Sequence, residues 1–75
     1  MQTKSAESLT RIRRWRLDSG LRLRELARLA KVDAGQLSRV ERGDGTFGPA
    51  ALARILRVLG QDELAEFLEE MGSRS

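Results

Sequence analysis

Two short amphipathic segments lie back to back near the middle of this 75-residue chain. The first covers about residues 23–30, where apolar side chains recur three and four positions apart, as on one face of a helix. Only residues 31–33 separate it from the second segment, which runs to about Arg42 and stops at Gly43. The second segment follows Asp33, a residue type that caps helices well. The sequence therefore predicts two short helices joined by a tight turn.

A longer helix is predicted before this pair. Ser5 or Ser8 can cap its start, because both are residue types that accept hydrogen bonds from the first backbone amides. It runs to about Asp18, and Gly20 can then adopt the left-handed conformation that ends many helices. One face of this helix carries Leu9, Ile12, Trp15 and Arg16.

Two more helices are predicted after the pair. Residues 44–48 form a glycine-rich loop, and Pro49 then begins a helix that ends at Gly60. A last helix covers about residues 61–71, with apolar residues again at helical spacing. The chain therefore reads as one all-α domain of five helices over residues 1–75.

The charge of the chain is unevenly placed. Residues 1–60 hold 13 basic and 6 acidic side chains, whereas residues 61–75 hold one basic and five acidic ones. A basic body suits a polyanion such as DNA and an acidic end suits a different partner, although an ordinary mixed-charge surface is the alternative. Arginine supplies 12 of the 14 basic residues. This suits phosphate and guanine recognition, but a GC-rich genome would give the same arginine content.

Several classes of chemistry are absent from the composition. The chain has no cysteine and no histidine, which removes disulfides, thiol nucleophiles, the usual zinc sites and an imidazole base. We therefore expect no enzyme, no cofactor and no metal. No apolar run approaches the roughly 18 residues of a membrane helix, and no signal peptide is visible. A cytoplasmic, nucleoid-associated protein without membrane partners is expected.

The second helix of the pair has one face that the core does not need. Leu37 and Val40 must face inward on a helical wheel. The opposite face carries small and basic residues, namely Gly35, Arg39 and Arg42, flanked by Gln36 and Ser38. Such a face can lie against a phosphate-lined groove, as in a helix-turn-helix whose second helix enters the DNA major groove. A merely solvated face is the alternative.

Individual residues on this face suggest different roles. Arg39 is mid-helix and can reach base edges, whereas Arg42 is better placed for phosphate. Gln36 stands three residues after the predicted cap Asp33, so it can complete a capping box or contact DNA. Gly35 weakens a helix by about 0.5–1 kcal/mol relative to alanine, which close approach to DNA or simple tolerance in the first turn would explain.

At this point the chain resembles the lambda-repressor-like, or XRE/Cro, helix-turn-helix family over about residues 8–60. The matching residues are Gly20-Leu21, Glu25-Leu26-Ala27, Ala30, Val32 and the run from Leu37 to Gly43. The resemblance implies a five-helix DNA-binding domain with double-stranded DNA as its partner. It implies a core of Ile12, Trp15, Leu21, Leu26, Ala27, Val32, Leu37, Val40, Leu52, Ile55 and Leu59.

The resemblance also implies roles by position. Arg16 and Glu41 match a charge pair that joins the first and third helices and holds Arg16 near a phosphate. Base contacts are expected at Ala34, Gly35, Gln36 and Arg39. Phosphate contacts are expected at Arg16, Arg22, Ser38, Arg42, Thr46 and Phe47.

Three departures from the family pattern matter. Arg22 and Leu23 stand where the family has a polar cap and a phosphate-binding glutamine, so the cap is lost at about 1 kcal/mol and Arg22 is expected to take the phosphate. Lys31 stands in a turn where glycine is frequent, and a left-handed lysine carries about 1–2 kcal/mol of strain. Ala34 and Gly35 offer little hydrogen bonding, so DNA shape is expected to contribute to recognition.

The last helix raises the question of a partner. Its apolar edge, which includes Met71, either closes the core or forms a two-fold seam that spaces two recognition helices by one DNA turn, ~34 Å. The seam is predicted at Leu64, Phe67 and Leu68. We therefore predict a homodimeric repressor of transcription on a palindromic operator. The alternative is a protein-interaction module, such as an antitoxin that neutralises a toxin, because the region from Ile55 to Leu68 is similar to antitoxin-type members of the family.

Overall fold

Five α-helices make up the described part of the chain, as the sequence predicts. The computed structural model describes the backbone over residues 4–74 and the side chains over residues 11–72. Within residues 4–74 the elements are α1 (Lys4–Asp18), α2 (Leu23–Ala30), α3 (Ala34–Glu41), α4 (Pro49–Val58) and α5 (Asp62–Arg74), with no strand. The all-α fold class is confirmed. The prediction that Ser5 or Ser8 caps α1 is wrong, because the helix already includes both residues. Their side chains and that of Leu9, predicted as part of an apolar face, lie outside the described residues.

Glycines end α1 and α3 in the way the sequence predicts. Gly20 has a φ of +72°, and the amide of Leu21 donates to the carbonyl of Arg16 at 3.1 Å. Gly43 has a φ of +93°, and the amide of Asp44 donates to the carbonyl of Arg39 at 2.8 Å. These bonds satisfy carbonyls that the helix itself leaves unpaired, and the left-handed residue makes them possible.

The turn between α2 and α3 contains a left-handed lysine. Lys31 has φ 60° and ψ 47°, and it ends α2 where a glycine would be the easier choice. The amide of Val32 donates to the carbonyl of Ala27 at 2.9 Å, which closes the turn. The strained conformation expected for Lys31 is therefore confirmed, at a cost of about 1–2 kcal/mol.

The starts of α2 and α3 use carboxylates in two different ways. The Asp33 side chain accepts from the amide of Gln36 at 2.8 Å, so the predicted cap of α3 is confirmed. The predicted capping box is wrong, because the Gln36 side chain donates instead to the carbonyl of Thr46 at 3.0 Å. At α2, Glu25 accepts from the amide of Arg22 at 2.8 Å. Since the Arg22 side chain has no acceptor atom, only this half of a capping box forms there.

The hydrophobic core has two parts that meet along α4. The larger part consists of Leu26, Ala27, Ala30, Leu37, Ile55 and Leu59, and the smaller one of Ala53, Leu56 and Ala65. Trp15 and Leu52 contact both parts. The other predicted core residues are half-buried: Ile12, Leu21 and Val32 pack against the larger part, whereas Val40 belongs to neither. Helix α3 is thus held on one face only, which leaves its other face available.

Helix α5 packs on α4 and is longer than predicted. It continues to Arg74, past the predicted end near residue 71. Gly72 lies within the helix and beside the start of α4, where an added Cβ would be 3.6 Å from the Cγ atom of Pro49. In residues 4–74, none of the helices combines the length and the apolar character needed to cross a bilayer.

Candidate nucleic-acid interface

The first turn of α3 contains two of the expected base contacts, and they are placed differently. Ala34 is half-buried and packs against the larger core part, so its methyl group faces the domain as much as solvent. Gly35 is exposed, and a Cβ there would lie 3.1 Å from the carboxylate of Asp33. A side chain at position 35 would therefore crowd the cap of α3, which is a structural reason for glycine that the sequence did not reveal.

Arg39 lies on the outward face of α3. It is exposed, and no hydrogen bond or ion pair to another described residue engages its guanidinium. Arginine is the side chain that most often binds guanine edges in the major groove. Of the four expected base contacts, Arg39 is thus the one with both a long side chain and free donors within the described part of the chain.

The loop after α3 is fixed to the domain at two points. The Gln36 side chain donates to the carbonyl of Thr46, as described above, and this bond connects the first turn of α3 to the loop. Phe47 is half-buried and packs against the larger core part. The loop backbone expected to meet phosphate is therefore held beside α3, and this bond engages one of the two amide hydrogens of Gln36.

A buried ion pair connects α1 to α3. The Nε atom of Arg16 donates to Glu41 at 2.8 Å and its Nη2 atom donates to the other carboxylate oxygen at 3.0 Å. The two side chains are only 10% and 5% exposed. A third donor, Nη1, bonds to the carbonyl of Leu21 at 3.1 Å. Every buried side-chain nitrogen or oxygen among the described residues has a hydrogen-bond partner.

A basic surface cavity lies where α1, α2 and α3 meet. It has a volume of about 220 Å³ and is lined by Arg13, Arg16, Leu23, Ser38, Glu41 and Arg42. At its rim, the Nη1 atom of Arg42 donates to the hydroxyl of Ser38 at 2.9 Å. Leu23 is the first residue of α2, and a helix start favours an anion. The cavity thus brings together three arginines, one of them paired with Glu41, and the start of α2.

A comparison with family models identifies the domain. The model described as a helix-turn-helix domain matches residues 10–68, which is most of the chain. This chain belongs to the helix-turn-helix domain family. Membership agrees with the lambda-repressor-like resemblance and indicates a DNA-binding regulator. Neither the curated proteins nor the solved structures gave a match.

The phosphate contacts expected for this helix-turn-helix domain fall into two groups. Arg16, Ser38 and Arg42 line the basic cavity together, whereas Thr46 and Phe47 lie in the loop after α3, which Gln36 holds at the other edge of the helix. Arg22 is exposed at the start of α2, next to the cavity in sequence but not in its lining.

One cavity residue was missed from the sequence. Arg13 lies three positions before Arg16 on α1, and this spacing puts both on neighbouring parts of one helix surface. That spacing was the available signal. Among the residues that the structure describes, no cluster of acidic side chains could hold a metal ion.

The predicted dimer seam is partly exposed. Leu64 and Phe67 lie on the surface of α5 with Met71, whereas Leu68 is half-buried against the smaller core part. Beside them, Arg57 of α4 donates to both carboxylate oxygens of Glu69 at 3.0 and 2.7 Å. These hydrogen bonds raise the pKa of Arg57 and lower the pKa of Glu69.

Replacing Glu41 should test how much the buried pair matters. We expect Glu41→Ala to lower the free energy of unfolding by about 3–5 kcal/mol, because Arg16 then stays buried without a counter-charge. Urea denaturation followed by far-UV circular dichroism measures the change. Glu69→Ala is the matched control, since it removes a carboxylate from an exposed pair and should cost far less. Equal losses in the two variants would contradict a special role for the buried pair.

Proposed function

We propose that this helix-turn-helix domain is a sequence-specific regulator of transcription, a homodimeric repressor that binds a palindromic operator. The observation that carries the proposal is the outward face of α3, where Arg39 is exposed without a partner among the described residues. The basic cavity lies at one edge of the same helix and the anchored loop at the other. A helix with base-reading and phosphate-binding groups arranged in this way suits the major groove.

In the proposed complex, different residues of α3 and its surroundings contact bases and phosphates. Arg39 binds a base edge, and Gln36 adds a second contact. The backbone at Gly35 approaches the groove closely, whereas Ala34 contributes at most a methyl contact. Phosphates lie against the basic cavity and Arg22 on one side and against the backbone at Thr46 and Phe47 on the other. Such a regulator would be found on the nucleoid.

Selection from a randomised DNA pool tests this function directly. Binding at about 150 mM salt suppresses most non-specific binding, and the bound DNA is sequenced after several rounds. We expect an inverted repeat whose half-site centres are about 10–10.5 base pairs apart, or a multiple of that. A pool without any enriched sequence would contradict a sequence-specific regulator.

Two arginines of α3 should behave differently on the selected site. Arg39→Ala is expected to relax specificity at one base position, at a cost of about 1–3 kcal/mol. Arg42→Ala should weaken binding to all sequences alike and reduce the salt slope by about one, because it removes a phosphate contact. Titrations of selected and random DNA at several salt concentrations measure both effects. An equal loss on both DNAs for Arg39→Ala would contradict its proposed role.

The second copy is proposed to dock on the exposed stripe of α5. Leu64, Phe67 and Met71 are three of the five large apolar side chains exposed among residues 11–72. A clustered apolar stripe is more consistent with an interface than with isolated exposed residues. A dimer also doubles the phosphate contacts of a small domain, which would otherwise bind DNA weakly at physiological salt.

Phe67→Asp should break this dimer without unfolding the domain. The Phe67 side chain is already 62% exposed, so a charge there costs little folding stability but is unfavourable in an apolar seam. Sedimentation measures the oligomeric state. Leu17→Asp on α1, with Leu17 58% exposed, is the matched control and should leave the dimer intact. A Phe67→Asp protein that remains dimeric would exclude this seam.

The alternative function, a protein-interaction module such as an antitoxin, is supported by the same stripe. Exposed carboxylates accompany it on α5, namely Asp62, Glu63, Glu66 and Glu70. An apolar stripe with acidic neighbours also suits a basic protein partner. Failure to enrich any DNA sequence, together with a dimer that Phe67→Asp does not affect, would favour this function.

A further inference from the structure

A side chain of α4 holds the turn between α2 and α3. The Nε atom of Arg54 donates to the carbonyl of Ala30 at 2.8 Å, and its Nη2 atom donates to the carbonyl of Lys31 at 3.3 Å. Ala30 is the last residue of α2, where carbonyls lack partners inside the helix. A positive charge is also favourable at this end of a helix, because the helix dipole makes it negative.

The turn needs such support because Lys31 is left-handed. A lysine gains free energy when it leaves this conformation for an ordinary one, whereas a glycine would gain almost nothing. The bond from Arg54 to the Lys31 carbonyl opposes this departure. The backbone of Arg54 is itself held in place, since the next residue, Ile55, is fully buried in the larger core part.

Any change in this turn is passed on to α3. Only Val32 and Asp33 lie between Lys31 and the first residue of α3. Recognition side chains must be held within about 0.5 Å and 10–20° of their working geometry. A rotation about the backbone of Lys31 would therefore displace Arg39 from a base edge.

We propose that Arg54 is a positioning residue for DNA recognition: by holding the carbonyls of Ala30 and Lys31, it keeps the recognition helix α3 in one orientation. Arg54 itself makes no DNA contact in this mechanism. The inference rests on the proposed DNA-binding function, and it assigns part of the sequence specificity to a residue outside the helix-turn-helix.

Arg54→Met tests the proposal, because it keeps the aliphatic stem and removes the donors. We expect the ratio of specific to non-specific DNA affinity to fall by about tenfold, because both hydrogen bonds that hold the turn are lost. The slope of log affinity against log salt should stay unchanged, since no phosphate contact is lost. Arg57→Met is the matched control: it lies on the same helix, bonds to Glu69 of α5, and should leave the ratio unchanged.

Repeating the test in a Lys31→Gly variant distinguishes a positioning role of Arg54 from a general effect on stability. Lys31→Gly removes the strain, so the turn no longer depends on being held. In that background we expect Arg54→Met to lower the affinity ratio by no more than about twofold, against about tenfold with lysine present. Lys31→Ala keeps the strained conformation and should preserve the full effect of Arg54→Met.

Each alternative outcome overturns the proposal in a recognisable way. A salt slope that falls by about one in Arg54→Met would make Arg54 a phosphate contact. Equal effects of Arg54→Met and Arg57→Met would indicate a general loss of stability. The same loss with glycine and with lysine at position 31 would separate Arg54 from the strained turn.

Hydrogen exchange keeps the test independent of the DNA site. The amide of Val32 bonds to the carbonyl of Ala27, so its exchange rate reports opening of the turn. We expect Arg54→Met to accelerate this exchange by about tenfold relative to amides inside α4, and Lys31→Gly to restore it. If the wild-type protein selects no DNA sequence, the proposed function fails, but accelerated exchange would still support the hold on the turn. Unchanged exchange at Val32 would overturn it.

Discussion

The buried pair between Arg16 and Glu41 is the interaction on which the arrangement of the helices depends. A chain of this length buries too little apolar surface for a deep core, and apolar contact alone has no preferred direction. The two hydrogen bonds of the pair do have a direction, because a guanidinium and a carboxylate match in only a few geometries. Both groups are largely buried, so a register of α1 against α3 that breaks the pair leaves a poorly solvated charge in the domain.

Arginine side chains also form hydrogen bonds between helices at two other contacts. Arg54 joins α4 to the end of α2, and Arg57 joins α4 to Glu69 of α5. Together with Arg16, these side chains add hydrogen bonds of defined direction to the apolar contacts between the helices. The sequence offers two explanations for the high arginine content, namely DNA binding and genome composition. Within residues 11–72 there is a third, because several arginines connect helices.

The sequence predicts the helices well and the polar contacts between them poorly. Apolar periodicity and end signals such as Asp33 and Gly43 depend on near neighbours, so the limits of α2 and the cap of α3 follow from local residues. The hydrogen bonds of Arg54 and Gln36 join residues far apart in sequence, and no spacing rule indicates them. For the candidate site, the residues of α3 could be proposed from the helical wheel, and the three-residue spacing of Arg13 and Arg16 was a signal for Arg13, but only the fold shows that both line one cavity with Arg42.

The chemistry of α3 explains why its placement matters more than its number of contacts. Ala34 faces the core in part, Gly35 has no side chain, and Gln36 is engaged by the loop. In the proposed complex, recognition therefore depends mainly on Arg39, together with the fit of the groove to the helix. A single long side chain discriminates between bases only when its Cα atom is held in place. A loosely held arginine can bind a phosphate or a neighbouring base instead at little cost in free energy. The connections of α3 to α1 through Glu41 and to α4 through the turn at Lys31 therefore belong to the proposed recognition mechanism as much as Arg39 itself.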